Sequence, residues 1–179
     1  VTWHGAKSFC NWAGKRLPTE AEWEMAARSP ACYEYTWGPE WDNESQNFKF
    51  IWHDDYCNIG DEGKIDGYEF SAPVDSFEKC KSSYGIYNMI GNVWEWVNDW
   101  YGPISELEYN NPRGPKEGKY KVHKGGCYKY GKEWAKAYSR IGGLPYNSYS
   151  CVGFRCAKDL DVNTEKCDMY EGLLKQNSL

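Results

Sequence analysis

Apolar and polar positions along this chain fall into distinct regimes. Near the N-terminus Ala6, Phe9, Cys10 and Ala13 recur at three- and four-residue spacing, the period of one helix face. Thr2 can cap that segment and Gly14 can stop it, so a helix is predicted over residues 2–13. A second helix is signalled more strongly, by Pro18, by a Thr19–Glu22 capping box and by Pro30 at its end. Glu20, Glu22 and Glu24 crowd its N-terminal half, where the helix dipole favours acids. Beyond Pro30 the helical period disappears. Short apolar pieces alternate with turn pairs such as Gly60-Asp61, Asp66-Gly67, Gly102-Pro103 and Asn111-Pro112. Two segments read as strands, residues 120–130 (with Gly125-Gly126 inside) and residues 152–157. Residues 158–179 are polar and predict a poorly ordered tail, partly tied down by Cys167. With no internal repeat and no linker, the pattern predicts one irregular α+β domain over residues 1–157, with two N-terminal helices, short antiparallel strands and many loops.

Between residues 83 and 101 neither period holds. Asn88, Gly91, Val93 and Glu95 follow neither a helix face nor one face of a strand, and read as a folded loop. Its side-chain oxygens and backbone carbonyls can converge on a hard cation. Equally, Asn88 and Glu95 can bond turn amides, and spacing alone leaves both readings open.

Composition narrows the classes. The 179 residues can bury a sizeable core, and with 17% aromatic content the ten Trp and fifteen Tyr must carry much of it. The formal charge of −5, without a basic block, argues against a phosphate-neutralising nucleic-acid face. No apolar run is long enough to span a bilayer, and Val1 does not open a signal peptide. The eight cysteines are dispersed, with no C-x-x-C. An even, scattered set reads as disulfides made in an oxidising compartment, which places the chain as secreted, periplasmic or cell-surface. The competing reading is buried thiols packing as small apolar groups. Cys127 and Cys151 flank one long loop and form a plausible pair.

Three motifs then stand in order: C-N-W-A-G-K-R-L-P-T-E-A-E-W-E at residues 10–24; A-P-V-D-S-F at 72–77 with Y-G-I-Y-N-M-I-G-N-V-W-E-W-V-N-D-W at 84–100; and K-G-G-C-Y at 124–128, closed by G-F-R-C-A at 153–157. Together they resemble the sulfatase-modifying-factor family, the formylglycine-generating enzymes and their relatives. The resemblance implies an elaborated C-type-lectin-like fold and bound calcium. It also implies that an N-terminal part of the family domain is missing. The implied calcium ligands are Asn58 and Asp66 with the carbonyls of Ile59 and Tyr68, and Asn88 and Glu95 with the carbonyls of Gly91 and Val93. The implied disulfide is Cys10–Cys156. The remaining six cysteines receive no pairing from the resemblance.

The best-known activity of the family oxidises a sulfatase cysteine to formylglycine, through two cysteines that bind Cu(I), an ion suited to soft thiolates. The resemblance places those cysteines at Tyr130 and Ala135, so copper chemistry is not expected. Cys127 remains the candidate catalytic residue of a rearranged enzyme, although in a regular strand its odd offset from Tyr130 would point it to the opposite face. His4, His53 and His123 have no ligand-like spacing. Gly114 to Lys119 falls one residue short of a phosphate-binding loop. Residues 127–150 instead intersperse Tyr128, Tyr130, Trp134, Tyr138, Tyr146 and Tyr149 with Ser, Gly, Asn and Lys. That mixture suits a recognition surface, with Trp94 beside it, for a peptide, protein or glycan. Core packing by the same rings is the alternative.

Overall fold

The computed structural model describes residues 1–60, 63–103 and 110–160. Most of the predicted polar tail, with Cys167, lies outside them. Helix α1, Trp3–Trp12, starts where Thr2 Oγ1 accepts the Gly5 amide at 3.0 Å. It buries Trp3, Ala6 and Cys10. Phe9 and Ala13, expected on the same face, are exposed, because the stripe that meets the core runs through positions 3, 6 and 10. Helix α2, Glu20–Arg28, carries the expected capping box, with Glu22 N on Thr19 Oγ1 at 3.2 Å and Thr19 N on Glu22 Oε2 at 2.8 Å.

A small hairpin follows, β1 at Glu40–Asp42 and β2 at Asn47–Lys49. The central sheet has four strands: β3 at Trp94–Trp100, β4 at Lys121–Lys124, β5 at Arg140–Gly143 and β6 at Val152–Phe154. Their order is β5-β4-β3-β6, antiparallel except for the parallel β3–β6 pair. This α+β arrangement corrects three expectations. Residues 94–100 form the central strand, not a loop. Nearly every β3 side chain is buried on both faces, so the strand carries no alternation to read. The strand expected over 120–130 stops at Lys124, because Gly125 and Gly126 both take positive φ, at 99° and 79°. A Cβ at Gly126 would sit 2.9 Å from the Trp134 carbonyl oxygen. The strand expected over 152–157 ends at Phe154, and Ala157 reaches back to an isolated bridge with Arg16.

Helix α1 is stitched to the sheet by Trp3 Nε1, which donates to Val97 O at 2.8 Å. The Cys10–Cys156 disulfide ties α1 to the chain beyond β6 and closes 146 residues. In the loop-entropy account such a span is worth about 5 kcal/mol. Cys57–Cys80 forms a second bridge that sequence did not assign. Cys32, Cys127 and Cys151 are free thiols, so the plausible Cys127–Cys151 bridge is not closed.

Candidate functional site

The 88–95 segment is organised around one carboxylate. Glu95 lies on β3, is 6% exposed, and receives Trp23 Nε1 at 2.7 Å, Arg155 Nε at 2.5 Å and Arg155 Nη2 at 2.8 Å. Arg155 also donates to the Tyr87 and Asn88 carbonyls. One acid therefore joins α2, β3 and the chain after β6. Beside it Lys124, fully buried, lies 2.9 Å from Glu24 and 3.7 Å from Glu20. Arg140 Nε reaches Glu20 at 2.7 Å. The sequence reading assigned Glu20 and Glu24 to the helix dipole. Their partners Lys124 and Arg140 lie about a hundred residues away in sequence and leave no local signal.

The two predicted cation sets differ. Asp66 accepts the Ile59 amide at 3.1 Å and the Tyr68 amide at 2.8 Å, which gathers Asn58, Ile59, Asp66 and Tyr68 into one loop. Asn58 is fully buried; its Nδ2 donates to Phe70 O at 2.7 Å, while its Oδ1 has no hydrogen-bond partner. An orphaned buried amide oxygen is costly, and it is a donor available to a hard cation. Asn88 shows the same feature: Nδ2 donates to Val74 O at 3.0 Å and Oδ1 is buried without a partner. There, however, Glu95 is already committed to Arg155. The two loops touch, since Asn92 N donates to Asn58 O at 2.7 Å and a Cβ on Gly91 would meet that oxygen at 2.5 Å.

Residues 127–138 lie alongside. After the Gly125-Gly126 kink the chain forms a turn, with Tyr130 N on Cys127 O at 3.0 Å. Because this is a turn, the strand-parity argument about Cys127 does not apply. Tyr130 and Trp134 are exposed at 45% and 41%, with ring centroids 6.3 Å apart. Trp134 packs edge-on over Trp94 at 6.2 Å. Trp94 and Tyr128, expected on the binding face, are buried at 1% and 9% and form its floor. Tyr138 is exposed but turns elsewhere, toward Arg28 and Lys136. Ala135 is buried in the core. A cleft of about 410 Å³ borders the floor, lined by Gly60, Glu69, Phe70, Tyr128 and Lys129. A separate apolar hollow of about 230 Å³ along α2, beside Met25, Arg28 and Asp99, involves none of the predicted cation, catalytic or ligand-binding residues. His123 is buried against Trp96 with neither ring nitrogen paired, and burial pushes its pKa down to about 4.

Against this geometry, the sulfatase-modifying factor enzyme 1-like domain matches residues 1–160. The formylglycine-generating enzyme of Mus musculus is 41% identical over 166 residues, which cover 89% of this chain and 43% of that protein. The "inactive C-alpha-formylglycine-generating enzyme 2" of Bos taurus is 33% identical over 158 residues, covering 88% and 48%. Among solved structures, PvdO from Pseudomonas aeruginosa superposes with a TM-score of 0.69 at 23% identity, over 89% of this chain and 60% of that one. That likeness concerns the fold. The chain belongs to the sulfatase-modifying-factor family. It spans about half the length of the curated relatives it matches.

Proposed function

We propose that this domain is a calcium-stabilised member of the family that binds a polypeptide segment across the Tyr130–Trp134 face, without copper-dependent formylglycine synthesis. The observation that carries the reading is the pair of exposed rings set on a rigid floor of Trp94 and Tyr128 beside an open cleft. Rigid amphipathic rings give contact area at low entropy cost, and Lys129 and Glu69 at the cleft offer charged partners to a peptide backbone and its side chains. Tyr130 and Ala135, at the positions that the resemblance assigns to the copper cysteines, provide no thiolate. The loops would take calcium through Asn58 and Asp66 with the Ile59 and Tyr68 carbonyls. A second ion would use Asn88 and Glu95 with the Gly91 and Val93 carbonyls, more weakly, because it would share Glu95 with a guanidinium. The two disulfides fit an oxidising, non-cytoplasmic setting. No helix among the described residues is long and apolar enough to cross a membrane.

The test presents the protein to arrays of unstructured peptides and of glycans. Peptide signals without glycan signals are expected, and the reverse would overturn the ligand class. An enzyme with a rearranged site is the second reading, favoured by Cys127 lying buried beside Cys151 in one cluster. A Cu(I) titration with an oxygen-consumption assay on a cysteine-bearing sulfatase peptide separates the two. Turnover that disappears in Cys127→Ser would establish the enzyme and sink the binding-only reading.

A further inference from the structure

Cys127 and Cys151 lie 24 positions apart in sequence, yet the fold clamps them together at the start of β3. Tyr128 N donates to Asn92 O at 2.9 Å on one flank, and Trp94 N donates to Cys151 O at 2.9 Å on the other. Lys129 Nζ donates to Ser150 Oγ at 2.8 Å and ties the two cysteine-bearing segments to each other. The thiols interact side chain to side chain within one cluster that includes Trp94 and Val152. Among the described residues, no group of three His, Cys, Asp or Glu side chains could hold a metal ion. Four other cysteines of this chain are closed in disulfides, so the pair matures where thiols in contact can exchange.

The pair is asymmetric. Cys127 is 1% exposed, while Cys151 is 8% exposed and ends the loop that holds exposed Tyr146, Asn147, Ser148 and Ser150. The hydrogen bond from the Cys127 thiol, together with the Lys129 charge, holds the Cys151 thiol below its ordinary pKa. The same sharing, with burial, pushes Cys127 up. The less buried thiol, with its pKa lowered, attacks, and its more deeply buried neighbour resolves.

We propose that Cys127 and Cys151 form an exchangeable dithiol–disulfide couple, with Cys151 as the attacking sulfur and Cys127 as the resolving one, acting on disulfides of small thiols. The Cys151 thiolate attacks one sulfur of the incoming disulfide, the S–S bond breaks, and one small thiol leaves after taking a proton from solvent. Cys127 then loses its proton to solvent and attacks Cys151 Sγ. The mixed disulfide breaks, and the second small thiol leaves with a proton. Two electrons pass from the protein to the substrate, and the Cys127–Cys151 bond is formed. The chemistry requires neither copper nor oxygen, so it stands or falls independently of the peptide-binding reading.

The test is mass mapping of the protein after equilibration in a glutathione buffer that leaves Cys10–Cys156 and Cys57–Cys80 closed. Glutathione disulfide added to the dithiol form is expected to yield a Cys127–Cys151 bridge with no glutathione retained on either of these two cysteines, whatever exposed Cys32 takes up. Cys127→Ser is expected to retain one glutathione on Cys151, and Cys151→Ser to retain none on Cys127. Retention on both variants or on neither overturns the proposal, as does a wild-type bridge that glutathione neither opens nor re-forms. Should either variant misfold, alkylation of the wild-type dithiol decides: Cys151 is expected to label about tenfold faster than Cys127, and equal or reversed rates contradict the assigned roles.

Discussion

The segment from Asn88 to Trp100 and the segment from Cys127 to Tyr138 are neighbours built in opposite ways. They are joined by a hydrogen bond from Tyr128 N to Asn92 O, with Gly91 N donating to Gly125 O just before the second segment begins. In the first, Asn88, Met89, Ile90, Trp94, Glu95, Trp96 and Val97 are all buried, and Glu95 has three N–H donors. In the second, Tyr130, Trp134 and Tyr138 expose more than 40% of their area each. Where large side chains are buried and the ion pair is closed internally, the segment is committed to holding the fold. Where large rings stand exposed on a packed floor, the segment is free to meet something else.

The largest effect that separates them should come from Glu95→Ala. It strips Trp23 and a partly buried Arg155 of their acceptor, and leaving such a charge uncompensated costs about 3 kcal/mol or more. Urea unfolding should report that loss. A cost under ~1 kcal/mol would mean the Glu95 network is not the fold's anchor.

Calcium removal comes next. Chelation should lower the melting temperature by several degrees in protein first shown to carry calcium. Asn58→Ala should abolish most of that sensitivity and Asn88→Ala less, because the Asn88 set would have to share Glu95 with Arg155. An equal or reversed ranking would contradict the comparison of the two loops.

A smaller effect concerns pH. Asp99, buried on β3, accepts the Glu20 amide at 2.8 Å, and burial nevertheless raises its pKa to about 6 from 3.8. A carboxyl with a raised folded pKa binds its proton more tightly when folded. Its contribution is therefore fully present below the unfolded pKa and is lost as pH rises through about 6. The stability difference between wild type and Asp99→Asn should change across pH 3.8 to 6 by on the order of 1 kcal/mol once solvent screening is allowed for. His123 titrates in both proteins and cancels in the difference. A difference independent of pH would show that Asp99 is not the titrating group.

What the amino-acid order revealed follows how local each cause is. Thr2, and the Thr19–Glu22 box, act within one turn, so both helices were legible. The β3 strand was not, because burial on both faces removes alternation, and neither was β5, whose Arg-Ile-Gly-Gly run has weak strand preference and forms by pairing with β4. The motif around Asn88 was legible as a family marker, but nothing local announced that Arg155 would take up Glu95. The ring-rich segment was legible as a surface only in part: Tyr130 and Trp134 are on it, whereas Trp94 and Tyr128 lie beneath and Tyr138 lies apart, a division set by tertiary packing.

The central claim is that the Tyr130–Trp134 face binds polypeptide while contributing little to the fold. The most direct measurement compares wild type with Trp134→Ala, on the peptide array and by thermal melting together. The account predicts that peptide binding falls by about tenfold or more while stability changes by about 1 kcal/mol at most. Unchanged peptide binding by a variant that is folded would contradict it.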